Sequence, residues 1–431
     1  MEETNKVKLT EYGAAETVPG SKLIFEFSNG KKILEDMGLE YRKGEQDETL
    51  PFSTKGIECV VLTHAHADHI GQLPKLYQAG FRGKIYGTFQ TADITKLQLQ
   101  QQAVGEIINR KRTEYLATQG VNVNFKKSSF SYRDQKELIK LFELSKEEQP
   151  GFAYGQKIDI LKDKETEVKA TFYEAGHMPG SAQVLFEIKD NGRNLKILTA
   201  YDLGRTDYKI LNHPIADIPI VKFPHTDFPK DIDAIIIEAT YGNKVHAPLE
   251  DSIKTLEDAA KDTEKNNGKL IIPTFSIMRS HMLQYFLYNL RAQERLPENM
   301  MFYLSCPSSD AVNRVILKYT EDLDEGAKKE FANKYFNPFQ FDRLIRHRDV
   351  NKTKELLAAG DSRNPYGIIA SSGMCEGGRI ERILQATLSD PKNIILLTGY
   401  QSPGTRGYLL KNNETKIPFL NKIVERKAEV R

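Results

Sequence analysis

The stretch "LTHAHADHIGQLP", Leu62 to Pro74, places His64, His66, Asp68 and His69 within six positions, and three of the chain's nine histidines lie in it. Imidazole nitrogens and carboxylate oxygens are the donors that borderline divalent cations prefer, zinc above all, and a catalytic zinc keeps one position open for water. One short loop cannot wrap all four donors around a single ion. An HxHxDH loop can instead give His64 and His66 to one metal and Asp68 and His69 to its neighbour. Each ion then needs ligands from elsewhere. His177 and Asp202 stand at the ends of two predicted strands, and a carboxylate such as Asp202 can bridge two cations.

The elements around these residues must bring them together. "SKLIFEFSNGKKILEDMG" predicts two strands around an Asn29-Gly30 turn, followed by Asp36 and Gly38. "GIECVVLT" (56–63) is a short apolar strand that delivers the chain into the histidine loop. Residues 91–148 read as helical and polar, with a break near "GVNVNFKKSSFSYRD". "VKATFYEA" (168–175), "NLKILTAYD" (194–202) and "IDAIIIEATYG" (232–242) predict strands that end near His177, Asp202 and Glu238. Beyond Gly242 to Pro248 the rhythm changes. Strand and helix patterns alternate through "KLIIP", "SIMRSHMLQYFLYNLRAQERL", "NMMFYLS", "SDAVNRVILKYTEDLDEGAKKEF", "YGIIAS", "RIERILQATL" and "NIILLTG", as in βαβ units on a parallel sheet. The chain therefore reads as a β-rich first half and an α/β second half.

Composition narrows the function classes. A length of 431 residues suggests roughly two or three domains with full cores. Sixty-one basic and 59 acidic residues nearly cancel, to +2, so net charge announces no polyanion partner, although a local basic groove is compatible with it. Cys59, Cys306 and Cys375 form no CxxC pair and no disulfide framework, which fits a reducing compartment. The N-terminal "MEETNKVKLTEYG" is polar, and no run approaches the length of a membrane span. The expectation is a cytoplasmic protein without a membrane partner.

"THAHADHIG" resembles the HxHxDH signature of the metallo-β-lactamase superfamily, and Asp36, "AGHMPGSA" and "TAYDLGR" follow that family's other motifs in chain order. "IEATYGNKVH", "IIPTFSIMRSHML", "ASSGMCEGGR" and "GYQSPGTRGYLL" resemble hallmarks of its β-CASP branch, the RNA-processing nucleases. The resemblance covers nearly the whole chain. It implies an α/β fold, a metallo-β-lactamase αββα sandwich with an inserted α/β β-CASP domain. The domains would be residues 1–244, the insertion at 245–395, and a return to the first domain over 396–431. It implies two Zn2+ ions, the first on His64, His66 and His177, the second on Asp68 and His69, with Asp202 bridging. Asp36 would orient a histidine of the cluster, and Asp68 and Glu238 would be catalytic, Glu238 by orienting a catalytic histidine.

The implied activity is hydrolysis of phosphodiester bonds of single-stranded RNA by a metal-activated hydroxide. In "SSGMCEGGRIERIL" and "GYQSPGTRGYLL", small residues lead into helices, an arrangement open to phosphate. The expected RNA contacts are Ser371, Ser372, Gly373, Arg379, Thr405 and Arg406, with Phe275 and Tyr400 either stacking on bases or belonging to the core. Two alternatives stay open: another hydrolase of the same fold, or an inactive RNA-binding or scaffold relative. β-CASP nucleases continue past the "GYQSPGTRG" motif to a histidine in an FSAH-like segment, whereas this sequence runs "KIVERKAEVR" to Arg431. The expectation is weak or undetectable cleavage by this polypeptide alone with RNA binding partly retained, His246 being the nearest substitute acid and a homodimer or partner chain able to complete the site.

Overall fold

The Asn29 side chain accepts from the Lys31 amide at 3.0 Å, and the segments either side of this turn pair antiparallel from Leu23↔Glu35 to Glu26↔Lys32, the predicted hairpin. Around it the first sheet is built in the order Lys8–Glu11, Leu23–Glu26, Lys32–Glu35, Ile57–Val61, Lys84–Tyr86, the last two joining in parallel. The computed structural model describes all residues except 1–5, 19, 43–44, 48–49, 119–130, 205–221, 223, 244–246, 324, 334–336, 364 and 420–421. The expected break after the first long helix, Phe89–Thr118, falls largely outside the described residues, as does His246.

A second five-stranded sheet runs Ala234–Ile237, Arg193–Ala200, Ala182–Asp190, Thr166–Glu174, Lys157–Lys162. Its central strand, Ala182–Asp190, was not among those predicted. Residues on both of its faces are buried, Leu185 and Gln183 as well as Val184, Phe186 and Ile188, and this blurs the alternation by which a strand is recognised.

The two sheets face each other. Phe25, Ile33, Cys59 and Val61 of the first share one buried cluster with Val168, Ala170, Phe172, Val184, Phe186 and Ile188 of the second. These positions alternate along their strands because successive side chains point to opposite faces. Phe25 and Phe186 meet across the interface with ring centroids 4.6 Å apart. Ile24, Leu34, Val60 and Ile85, on the other face of the first sheet, are buried too, so that sheet is covered on both sides. The layered sandwich expected of the first half is what forms.

The chain divides into two compact units at Asn243/Lys244. The second holds a six-stranded sheet in the order Leu344–Arg346, Met301–Ser305, Tyr366–Ala370, Lys269–Pro273, Ile394–Ile395, Glu429–Val430, every pair parallel. All residues of Lys269–Pro273 and Tyr366–Ala370 are buried, as in sheets covered on both faces by crossover helices. Those helices include Leu249–Lys265, Arg279–Ala292, Pro307–Lys318, Val350–Ala358 and Gly378–Thr387. The long helix predicted from Ser309 is instead two, Pro307–Lys318 and Glu325–Phe331. Residues 396–431 group with this second unit: Glu429–Val430 pairs with Ile394–Ile395, and Lys416–Phe419 pairs with Lys422–Glu425.

Candidate metal centre

Each ligand-bearing loop starts where a strand of the first unit stops. Ile57–Val61 leads through Leu62 and Thr63 to His64, the helical turn Ala67–Ile70 carries Asp68 and His69, and His177 and Asp202 follow Thr166–Glu174 and Arg193–Ala200. Hydrogen bonds tie these loops together. The Ala182 amide donates to Thr63 O at 2.8 Å, linking the two sheets just before His64. The Ser181 hydroxyl accepts from the amides of His177 and Met178, both at 3.1 Å, which closes the His177 turn. The Thr88 and Thr91 hydroxyls both donate to Gly180 O, at 2.7 and 2.8 Å, and anchor that turn to the start of the Phe89–Thr118 helix.

Asp202 adopts φ 44°, and Asp36 φ 59°, a conformation that non-glycine residues avoid unless their surroundings impose it. The surroundings do so. Beside Asp202, the Leu203 amide donates to Glu238 Oε1 at 2.7 Å, and the Gly204 amide donates to Ala175 O at 2.8 Å. Asp36 is buried and accepts three bonds, from the Thr63 amide (2.8 Å), the Thr63 hydroxyl (2.6 Å) and His69 Nδ1 (2.7 Å). With Nδ1 of His69 engaged in this way, its Nε2 is left facing Asp202 Oδ2 at 3.7 Å.

The ligand atoms converge. His66 Nδ1 lies 3.1 Å from His64 Nε2 and 2.9 Å from His177 Nε2. Asp202 Oδ2 is 3.4 Å from His64 Nε2 and 3.3 Å from His177 Nε2. One donor atom from each of His64, His66, His177 and Asp202 falls within 4.8 Å of the others, and Asp68, His69 and Asp202 form a second such group. Asp202 belongs to both. Three imidazole nitrogens aimed at each other and at a carboxylate oxygen bring lone pairs together, which a divalent cation among them relieves. The donor set therefore fits metal, and the N/O mixture suits a borderline ion.

Electrostatics agree. Burial pushes the His64 pKa down to about 3 and drives His66 down as well, holding both rings in the neutral form that ligates. Burial also opposes a charge on His69, but the Asp36 and Asp202 carboxylates outweigh it and hold His69 well above the ordinary histidine range. For Asp202 burial acts upward, and His69 and His177 overcome it, keeping the carboxyl well below its usual value. Burial raises Asp68.

The structure thus brings together all six sequence-predicted ligands, with Asp36 behind His69. Glu238 lies where expected along the chain, but what it grips is the Leu203 amide next to Asp202. Sequence reasoning missed Thr63, Ser181 and Gly204. Thr63 is the last residue of the apolar strand "GIECVVLT", and a hydroxyl immediately before a ligand histidine was the available signal.

The residues expected to touch RNA lie in the second unit, in loops that follow parallel strands or in the first turns of the helices Gly378–Thr387 and Arg406–Lys411. The Ser372 hydroxyl donates to Glu376 O at 2.7 Å and accepts from the Glu376 amide at 3.2 Å. Ser371 O accepts from the Ile380 amide at 2.9 Å, and Gly373 is buried. Thr405 caps the short helix Arg406–Lys411, accepting from the Tyr408 amide at 3.2 Å. Both arginines have internal work. Arg379 donates to His347 O and Arg348 O, and Arg406 pairs with Glu376 and donates to Pro418 O.

These features define a metallo-β-lactamase-fold protein with a metal-binding His/Asp cluster. A metallo-beta-lactamase superfamily domain matches residues 24–218, and a Beta-Casp domain matches residues 281–410. The chain belongs to the β-CASP branch of the metallo-β-lactamase superfamily. Over 428 residues it is 28% identical to a ribonuclease of Thermus thermophilus, covering 98% of this chain and 86% of that one. It is 29% identical over 427 residues to an RNase J-like protein of Methanocaldococcus jannaschii, covering 97% and 83%. To the transcription termination factor FttA of Methanosarcina mazei it is 28% identical over 425 residues, 96% of this chain but only 59% of that protein's length. Among the described residues no helix is long and apolar enough to cross a membrane.

Proposed function

We propose that this protein is a zinc-dependent ribonuclease that hydrolyses phosphodiester bonds of single-stranded RNA. The observation that carries this reading is the pair of donor groups sharing Asp202, because a bridged two-ion site suits in-line displacement at phosphorus. Relatives named as a ribonuclease and as RNase J-like, similar over nearly the whole chain, support RNA as the substrate. In this reading His64, His66 and His177 hold one ion, Asp68 and His69 hold the other, and Asp202 serves both. Bound zinc would supply an acidified water and neutralise charge on the phosphate oxygens. The rest is done by the chain's own groups. Asp36 fixes the ring of His69, and Glu238 holds the turn that presents Asp202.

The test is metal content together with cleavage of an end-labelled, unstructured RNA. The wild type should bind zinc and cut the RNA slowly, chelation should stop that cleavage, and added zinc should restore it. His66→Ala should lose zinc and cleavage together. Full zinc occupancy in His66→Ala would overturn the ligand assignment. A zinc-loaded wild type that binds RNA but leaves it intact would identify a binding relative instead.

A further inference from the structure

The loops that follow Lys269–Pro273, Tyr366–Ala370 and Ile394–Ile395 leave the same edge of the second unit's sheet, because these three strands are adjacent and parallel. The carboxyl edge of such a sheet is where ligands dock in open α/β folds. Two aromatic rings are exposed on these loops, Phe275 at 38% and Tyr400 at 50%. Neither ring stacks on another aromatic ring or a cation among the described residues.

The support beneath the rings is built. A Cβ at Gly373 would stand 2.8 Å from Phe275 Cδ2 and 2.9 Å from the Phe275 amide nitrogen, so only glycine lets the ring lie against this loop. A Cβ at Gly399 would stand 3.8 Å from Phe275 Cε2, which brings the Tyr400 loop alongside. The Gln401 side chain is 1% exposed and donates to both Gly373 O (3.0 Å) and Gly399 O (3.1 Å), stitching the two loops together. Phe275 O accepts from the Ser280 amide at 3.3 Å, which ties the Phe275 loop to the helix Arg279–Ala292. At the first position of that helix the Arg279 side chain is exposed and has no partner among the described residues, in contrast to Arg379 and Arg406.

We infer that Phe275 and Tyr400 form a ledge on which unpaired nucleobases stack, with Arg279 beside it to meet the phosphate backbone. The inference rests on the ribonuclease reading and deepens it. Stacking accepts any base, because every base presents a π-face, but it requires the base to be out of a duplex. The ledge therefore selects single strands without reading their sequence. Glycine at 373 and the buried amide of Gln401 are what keep the ring positions fixed before RNA arrives.

The test uses the full chain and a short single-stranded oligo(A) with a phosphorothioate backbone to resist cleavage. An abasic strand of equal length and a duplex serve as comparisons. The wild type should bind oligo(A) more tightly than the abasic strand. Phe275→Leu and Tyr400→Leu should each weaken oligo(A) binding by about 5- to 150-fold and leave abasic binding unchanged. The chain has no tryptophan, so Phe275→Trp installs a single indole whose emission can be excited apart from the tyrosines. Its emission should be quenched by oligo(A) and not by the abasic strand. Equal affinity of the wild type for oligo(A) and abasic strands, unaltered binding in both leucine variants, or an unquenched indole would overturn the ledge and leave the ribonuclease reading standing. A wild type that binds no strand at all would overturn both.

Discussion

At the scale of single residues, burial decides what each histidine is for. His69 is buried between two carboxylates and held in one orientation by Asp36, whereas His64 is buried and His66 half-buried among other rings, and both are kept neutral. His281, in the second unit, shows the structural counterpart. It is fully buried, its Nε2 lies 3.1 Å from Ser309 O, its Nδ1 has no partner among the described residues, and burial pushes its pKa down to about 4. Between about pH 6.5 and 4 the unfolded chain takes up a proton here that the folded chain refuses. Stability from this residue is therefore present above pH 6.5 and lost as pH falls towards 4, by about 3 kcal/mol in all. Urea unfolding of His281→Phe and wild type checks it. The variant should be less stable at neutral pH, where Ser309 O loses its donor, and the gap should narrow or reverse in acid. A gap independent of pH would show that His281 does not titrate in this way.

At the scale of elements, the site depends on how two turns are pressed together. A Cβ at Gly204 would stand 1.9 Å from Gly176 O, and the Gly204 amide donates to Ala175 O, so the turns carrying Asp202 and His177 touch backbone to backbone. Gly204→Ala must force them apart. Since Asp202 belongs to both donor groups and His177 to one, the expected result is a drop in zinc affinity of roughly 10- to 100-fold, of the size seen when supports of metal ligands are removed. Competition against a chelator would measure it, with circular dichroism to show that the fold persists. Unchanged zinc affinity in Gly204→Ala would mean that the contact of these turns does not set the ligand spacing.

At the scale of the whole molecule, charge is close to balanced, at +2 with a pI of about 8.1. RNA affinity therefore has to come from local cations, and its salt dependence counts them. Log affinity against log salt should fall with a slope of about −0.7 for each phosphate neutralised on a single strand. Arg279→Gln should reduce that slope by about 0.7, because this guanidinium is exposed and unpaired among the described residues. Arg379→Ala should act mainly on stability, because its guanidinium holds the carbonyls of His347 and Arg348. A slope that Arg279→Gln leaves unchanged would remove Arg279 from the RNA path.

The sequence by itself determined the donors and the rhythm of the fold. HxHxDH, His177 and Asp202 are legible because ligand chemistry is a matter of residue type, and strand and helix order is legible because burial repeats with a local period. The central strand Ala182–Asp190 escaped because both of its faces are buried and the period disappears. Only the tertiary structure decided which groups meet. Asp36 lies 33 positions from His69, and Glu238 lies 35 from Leu203, yet each pair is joined by one hydrogen bond. It also decided which cations are spent. Arg379 and Arg406 read as RNA contacts in sequence and bond to backbone and carboxylate in the fold, whereas the exposed Arg279, in the family-like stretch "IIPTFSIMRSHML", was not singled out. A side chain's type is written in the chain, but its partner is set by residues far away that folding brings within reach.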